Sequence, residues 1–394
     1  MKLKPLRCHA GFTLVELMVA VAIGLFLLTI IVGIYVTGVR NFTSTNAVTG
    51  LDENARAIFD LIGTNVRQSG FNGCGRLTDG GIINGDTRTT ILVRDPTNIN
   101  ANPVNPTLWW TDTTAPVQGA TLASADSRFP NSHPANLLPA GSKTDVLMLV
   151  GVDSQNVASV VANPANPNIT TGAHKFTPGQ MLLASSCQLN SFFVASAGTG
   201  GSQITHTMAD NCDTNLAGAC ATGGPAVAVN AVLPDGALIL PVVATAYYVA
   251  PSSTAGKGNS LWSCTISAAA PPPLACTSGN AATELVNGVE NMALSFGLDT
   301  STDSLMGAAD PTRSLGLVNP IGSADTWANP DNVTNWSRVV AVRVTLLLAT
   351  MPDVNSVTTG NNAYTFNGSA SVTPTDRRVY RQYTATFSVR NRTF

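Results

Sequence analysis

Hydrophobic and polar positions divide the chain into three stretches. From Thr13 to Val39 the residues are apolar apart from Glu16 and a few small polar or glycine positions. Leu17–Val39 alone gives 23 residues, about 35 Å as a helix and enough to cross a bilayer. After Arg40 the pattern becomes periodic. Leu51, Ala55, Ile58, Ile62 and Val66 recur at three- and four-residue spacing, while Asp52, Glu53, Arg56, Asp60 and Arg67 fall mostly off that stripe. This predicts an amphipathic continuation of the helix with one face to bury. Gly70 and Gly73 would end it, and Gly33, Gly38 and Gly50 would loosen it, at about 1 kcal/mol each relative to Ala.

From residue 71 onward the pattern predicts strands separated by long polar loops. The strands are expected at 144–151, 180–185, 191–196, 239–250, 291–299, 337–351 and 379–391. In the last of them Ala385, Phe387 and Val389 alternate with Thr384, Thr386, Ser388 and Arg390, as in a half-buried antiparallel strand. Loops rich in Pro, Asn, Thr and Gly are expected at 95–142, 205–226, 250–283 and 300–336. The expected fold is α+β: a long N-terminal helix, transmembrane and then amphipathic, packed on an antiparallel β-rich head with long loops.

Composition adds the compartment. Only 11% of the 394 residues are charged, against roughly 25% in an average soluble domain. Beyond the first ten residues the lysines are Lys143, Lys175 and Lys257. That balance suggests an exported domain and argues against a nucleic-acid partner, which would call for a basic stripe. Lys2, Lys4 and Arg7 precede the apolar run, so removing the leader takes the net charge from −2 to −5. These positive charges hold the N-terminus in the cytoplasm and direct the rest outward.

Seven cysteines become six if Cys8 leaves with the leader: Cys74, Cys187, Cys212, Cys220, Cys264 and Cys276. An even set outside the cytoplasm reads as up to three disulfides, with 15 connectivities open. One arrangement closes two short loops, Cys212–Cys220 and Cys264–Cys276, and leaves Cys74–Cys187 to tie the helix end to the sheet.

The stretch GFTLVELMVAVAIG, beginning at Gly11, closely resembles the class III signal of type IV prepilins and pseudopilins. The resemblance implies that residues 1–11 are a leader removed by a prepilin peptidase after Gly11, and that Phe12 becomes the N-methylated first residue. Residues 12–39 would then be the membrane and filament-core helix, 40–70 its amphipathic half, and 71–394 the head. Within the family the carboxylate at the place of Glu16 pairs with the N-terminal amine of a neighbouring subunit and sets the register. Phe12 and Glu16 stand at i, i+4. The alternative for Glu16 is a carboxylate close to the headgroups, favoured by the helix dipole.

Three further segments, GFNGCGR at 70–76, ELVNGVENMALSFGLDTSTD at 284–303 and VYRQYTATFSVRNR at the end, resemble PilW-type minor pilins. They are more loosely similar to the J-type pseudopilins of type II secretion. The resemblance implies a minor pilin in the priming or tip complex of a type IV pilus, supporting pilus biogenesis, twitching and adhesion. It also implies partners: other minor pilins and the major pilin, the prepilin peptidase, the assembly platform and a large tip adhesin. The expected location is the inner membrane, single-pass with the head in the periplasm, and then the surface pilus. The alternatives are a J-type pseudopilin of a secretion pseudopilus and a surface adhesin acting through its long loops.

Catalytic signatures are missing from the sequence. AGSKTDV at 140–146 has Ser where a phosphate loop needs its second Gly, and it precedes a strand instead of a helix. There is no GxSxG elbow, HExxH or CxxC, and His133, His174 and His206 are isolated. No enzyme activity and no resident cofactor are expected. Asp299 and Asp303, four apart in GLDTSTDSL, are the candidate calcium ligands, because oxygens on a flexible turn suit that ion. Trp109-Trp110, in a long loop, is a candidate partner anchor.

Overall fold

The computed structural model describes residues 13–71, 88–93, 115–121, 144–165, 167–186, 189–212, 216, 233–254, 256–266, 282–300, 324–351, 363–376 and 378–389. One helix, α1 (Leu14–Gln68), runs unbroken through its glycines, so the loosening expected at Gly33, Gly38 and Gly50 does not interrupt it. Its last turn is tied down at once. The Ser69 N–H donates to Asn65 O at 2.9 Å, and Gly70, at φ +71°, donates to Val150 O at 2.9 Å.

Fifteen strands follow in the described residues. The first group is β1 (Arg88–Ile91), β2 (Val117–Thr121), β3 (Asp145–Val152), β4 (Ala158–Ala165) and β5 (Asn168–Thr171). Then come β6 (Met181–Ser185), β7 (Leu189–Val194), β8 (Gln203–Thr205), β9 (Leu238–Pro251), β10 (Asn259–Ile266) and β11 (Ala282–Asn287). The last four are β12 (Val289–Leu298), β13 (Thr326–Ala328), β14 (Val339–Ala349) and β15 (Tyr380–Ser388). All seven strands expected from the sequence form, within two or three residues at each end. Three segments expected as loop carry strands instead: β2 in 95–142, β10 in 250–283 and β13 in 300–336.

The strands make two sheets. The first, of eleven strands, is organised by β9. Its first residues, Leu238–Pro241, pair with β6, while Val242–Tyr247 pair with β3 and Ala244–Pro251 with β10. Pro241, which has no N–H to give, lies where β9 passes from one set of partners to the other. Because β9 serves both halves, the sheet folds across an apolar layer that joins Met148 and Tyr248 to Leu183 and Phe192. All described pairings are antiparallel except β1 with β7.

The second sheet runs β13-β12-β14-β15. The chain enters it through Gly288, at φ +84°, where a Cβ would meet Ala349 O at 2.7 Å. The stripe Leu51, Ala55, Ile58, Ile62 and Val66 is buried as the periodicity predicts. It shares one core with Leu149 and Tyr247 of the first sheet and with Leu294, Phe296, Val344 and Phe387 of the second. The C-terminal half of α1 is therefore held by both sheets.

Candidate functional site

At its other end α1 begins with a reciprocal cap. The Glu16 N–H donates to Thr13 Oγ1 at 3.2 Å, while the Thr13 N–H and hydroxyl both donate to Glu16 Oε2, at 3.0 and 3.1 Å. This capping box answers two of the orphan donors at a helix start. Glu16 thus has a structural task within its own chain, besides any pairing with a neighbour. The Thr-x-x-Glu spacing of 13–16 was the signal for this cap, and a reading centred on charge overlooks Thr13. Gly11 and Phe12 lie outside the described residues.

From Leu14 to Val39 the helix is, Glu16 apart, apolar on every side, and no described residue covers it: Phe26 is 68% exposed and Tyr35 71%. None of its most apolar stretch is buried. A helix hydrophobic all round belongs in a membrane or in the core of a larger assembly. Several threonines fit that setting, since the Thr29, Thr37 and Thr43 hydroxyls return to the carbonyls of Leu25, Gly33 and Val39 at 2.8–2.9 Å. Length and composition fit a membrane anchor.

The covered half of the helix is seated by aromatic groups. Phe387 of β15 packs against Gly63, and the Phe59 ring and the Arg67 guanidinium lie 6.2 and 5.9 Å from its centroid. Asn65 donates to the Tyr247 hydroxyl, and the Tyr383 hydroxyl donates to Asp52. Burial, with the Asp52 carboxylate beside it, pushes Tyr383 up to about 12, so it stays a donor at neutral pH. The helix is thereby fixed in rotation as well as in position.

Around the joint between the sheets, buried polar groups replace backbone pairing. Thr144 Oγ1 meets both the N–H and the carbonyl of Met292 at 3.2 Å, and Asp145 Oδ2 accepts from the Leu294 N–H at 2.7 Å. Arg378 and Glu290 form an ion pair of 2.6 Å with side chains 9% and 15% exposed, and the Arg378 Nε also donates to Thr350 O. This pair fastens the segment before β15 to the start of β12.

Of the other sequence candidates, Cys212, Cys264 and Asp299 are among the described residues. Cys212 and Cys264 are disulfide-bonded, whereas Cys74, Cys187, Cys220 and Cys276 lie outside the described residues, as do Asp303, Trp109 and Trp110. Asp299 is buried at the end of β12, its N–H donating to Arg338 O at 3.0 Å. Among the described residues, no group of three or more His, Cys, Asp or Glu is placed to hold a metal. The arrangement is one of surfaces, an uncovered apolar helix on a firmly seated stem.

Two family models match the chain at the parts just described. The family described as "Type IV Pilus-assembly protein W" matches residues 246–391, from the second half of β9 through β15. The "Prokaryotic N-terminal methylation motif" matches residues 6–32, which include the capping box and the start of the apolar run. Neither the curated proteins nor the solved structures provide a match. The two findings support a type IV pilin-like minor pilin with a role in pilus assembly.

Proposed function

We infer that this minor pilin works by self-association, with α1 as its one polymerising element. The observation that carries the reading is the contrast along a single helix. The stripe from Leu51 to Val66 is filled by the chain's own sheets, while Leu14–Val39 is left for lipid and then for the helices of other subunits. A structural pilin of this kind needs no catalytic centre.

In this reading the leader is cut after Gly11 by the prepilin peptidase, and Phe12 is N-methylated. The inner membrane holds the helix with its N-terminus in the cytoplasm and the head in the periplasm. Assembly moves the helix into the priming or tip complex, beside other minor pilins and the major pilin and in contact with the assembly platform. Glu16 then meets the amine of a neighbour. Inside a helix bundle an unpaired carboxylate is strongly disfavoured, so the pairing fixes axial register. A large tip adhesin is the partner proposed for the distal end. Disulfides among the six mature cysteines harden the head outside the cytoplasm.

The test is mass spectrometry of the protein from sheared surface fibres and from inner membrane. A form beginning at N-methylated Phe12 in the fibres is the expected result. An intact leader in both fractions overturns the proposal.

A further inference from the structure

The face of the second sheet turned away from α1 carries a cleft of about 480 Å³. Met292, Leu294 and Phe296 point to the shared core, so Asn291 and Ala293, with Leu347 across the ladder from Asn291, lie on the opposite face. Over that face stands the segment 363–372, closed by paired hydrogen bonds between Tyr364 and Val372 at 2.8 and 3.0 Å. The Asn367 N–H donates to Gln382 Oε1 at 2.9 Å, and Tyr364 stacks on Tyr380 with ring centroids 4.7 Å apart. These contacts build the wall on structure instead of leaving it to a loose loop.

The lining has a one-sided chemistry. Asp145, 9% exposed, and Asp331 supply carboxylates, and the part-buried Asn291 contributes an amide whose Oδ1 has no hydrogen-bond partner among the described residues. An acceptor left in that state is destabilising until a donor reaches it. Tyr364 and Phe366 offer aromatic surface. No Lys, Arg or His is among the described lining residues. Burial, and secondarily the charge on Asp331, pushes Asp145 up to about 6, which marks a place where positive charge is lacking.

We propose that this cleft receives a basic side chain, the guanidinium or ammonium of Arg or Lys, presented by a partner polypeptide. A cation there meets carboxylates at one end and an aromatic face beside them, two favourable settings for an organic cation. The volume is far larger than a bare metal ion needs. The cleft opens away from the assembly helix, so a subunit already packed through α1 keeps it available. The inference adds to the assembly reading without resting on it, because binding is measured on the purified chain whether or not that chain enters fibres.

The experiment is isothermal titration of the detergent-solubilised full chain with N-acetyl-arginine N-methylamide. Its neutral citrulline counterpart and putrescine serve as comparisons. Saturable binding of the arginine compound, about tenfold tighter than the citrulline compound, is expected. Asp331→Asn, at an exposed position, should weaken it several-fold. Asn329→Lys should abolish it by placing an ammonium at the rim from a residue whose side chain makes no cap hydrogen bond. Equal binding of the arginine and citrulline compounds overturns the proposal, as does wild-type binding in both variants. Putrescine binding as tightly as the arginine compound would overturn the polypeptide source.

Discussion

Phe387 lies against Gly63 so closely that a Cβ on that glycine would stand 2.5 Å from the ring's Cε1. The final strand and the helix, 324 residues apart in sequence, thus meet through a ring that needs a missing side chain. Gly63 also carries the usual penalty of glycine within a helix, about 1 kcal/mol relative to Ala, so close packing opposes propensity there.

Gly63→Leu is expected to lower stability by about 1–3 kcal/mol, the usual range for overpacking a filled core. Phe387→Ala should cost about 3–5 kcal/mol. Made together, the two changes should cost less than their sum, because the smaller residue at 387 gives the leucine room. Chemical denaturation of the purified chain reads all three, and strict additivity would show that this contact does not seat the helix.

The Arg378–Glu290 pair gives a second test. Removing one partner of a buried ion pair leaves the other charge alone, and Arg378→Ala should destabilise by about 3–5 kcal/mol. Replacing both with apolar groups, Arg378→Met with Glu290→Leu, should cost much less. If the single and double changes lower the melting temperature equally, the pair's charges are not what fastens β12 to β15.

Acid titration should reveal two opposing groups. His206 is fully buried, neither ring nitrogen has a hydrogen-bond partner among the described residues, and burial pushes it down to about 4 from 6.5. Its stabilising effect is complete above pH 6.5 and fades as pH falls toward 4. Asp145 behaves in reverse. Pushed up to about 6 from 3.8, it favours the fold most below pH 4 and loses that effect as pH rises through 6. Each window is worth roughly 3 kcal/mol. Melting curves from pH 4 to 7.5 should therefore show His206→Phe gaining on the wild type toward acid and Asp145→Asn gaining toward neutrality. Parallel curves for wild type and variants would rule the assignment out.

Glu16 has two roles that substitution can separate. Glu16→Gln keeps an acceptor for the Thr13 N–H but loses the charge. Thr13→Ala keeps the charge but removes the cap, a loss of about 1 kcal/mol. If charge pairing sets register, the glutamine variant should be missing from sheared fibres while the alanine variant enters them. The opposite result would make capping the essential role.

The expected apolar run and the buried stripe of α1 were legible because helix periodicity is local. Five residues at regular spacing announce a face without reference to anything distant. The same holds for β15, where Ala385 and Phe387 alternate with Thr384, Thr386 and Ser388. Sequence reasoning stopped short where strands have little alternation to show. Leu261 and Trp262 of β10 are adjacent, yet they enter two different cores. Strands β4 and β5 are short of large apolar residues and form through pairing. The capping box is local too, carried by the Thr13-x-x-Glu16 spacing alone.

By itself the sequence determined a membrane-length helix with a carboxylate in its first turn, an amphipathic stem, and a β-rich head with no catalytic signature. It did not decide that the head has two sheets instead of one. That division depends on Gly288 turning the chain at positive φ beside Ala349, and on β9 pairing with different partners along its length. It also left undecided which strands would take the stem and which face would carry the cleft at Asp145 and Asn291. Sheet pairing joins residues far apart in sequence, and the choice among partners is made by burial and backbone hydrogen bonding in the assembled fold, not by any local pattern.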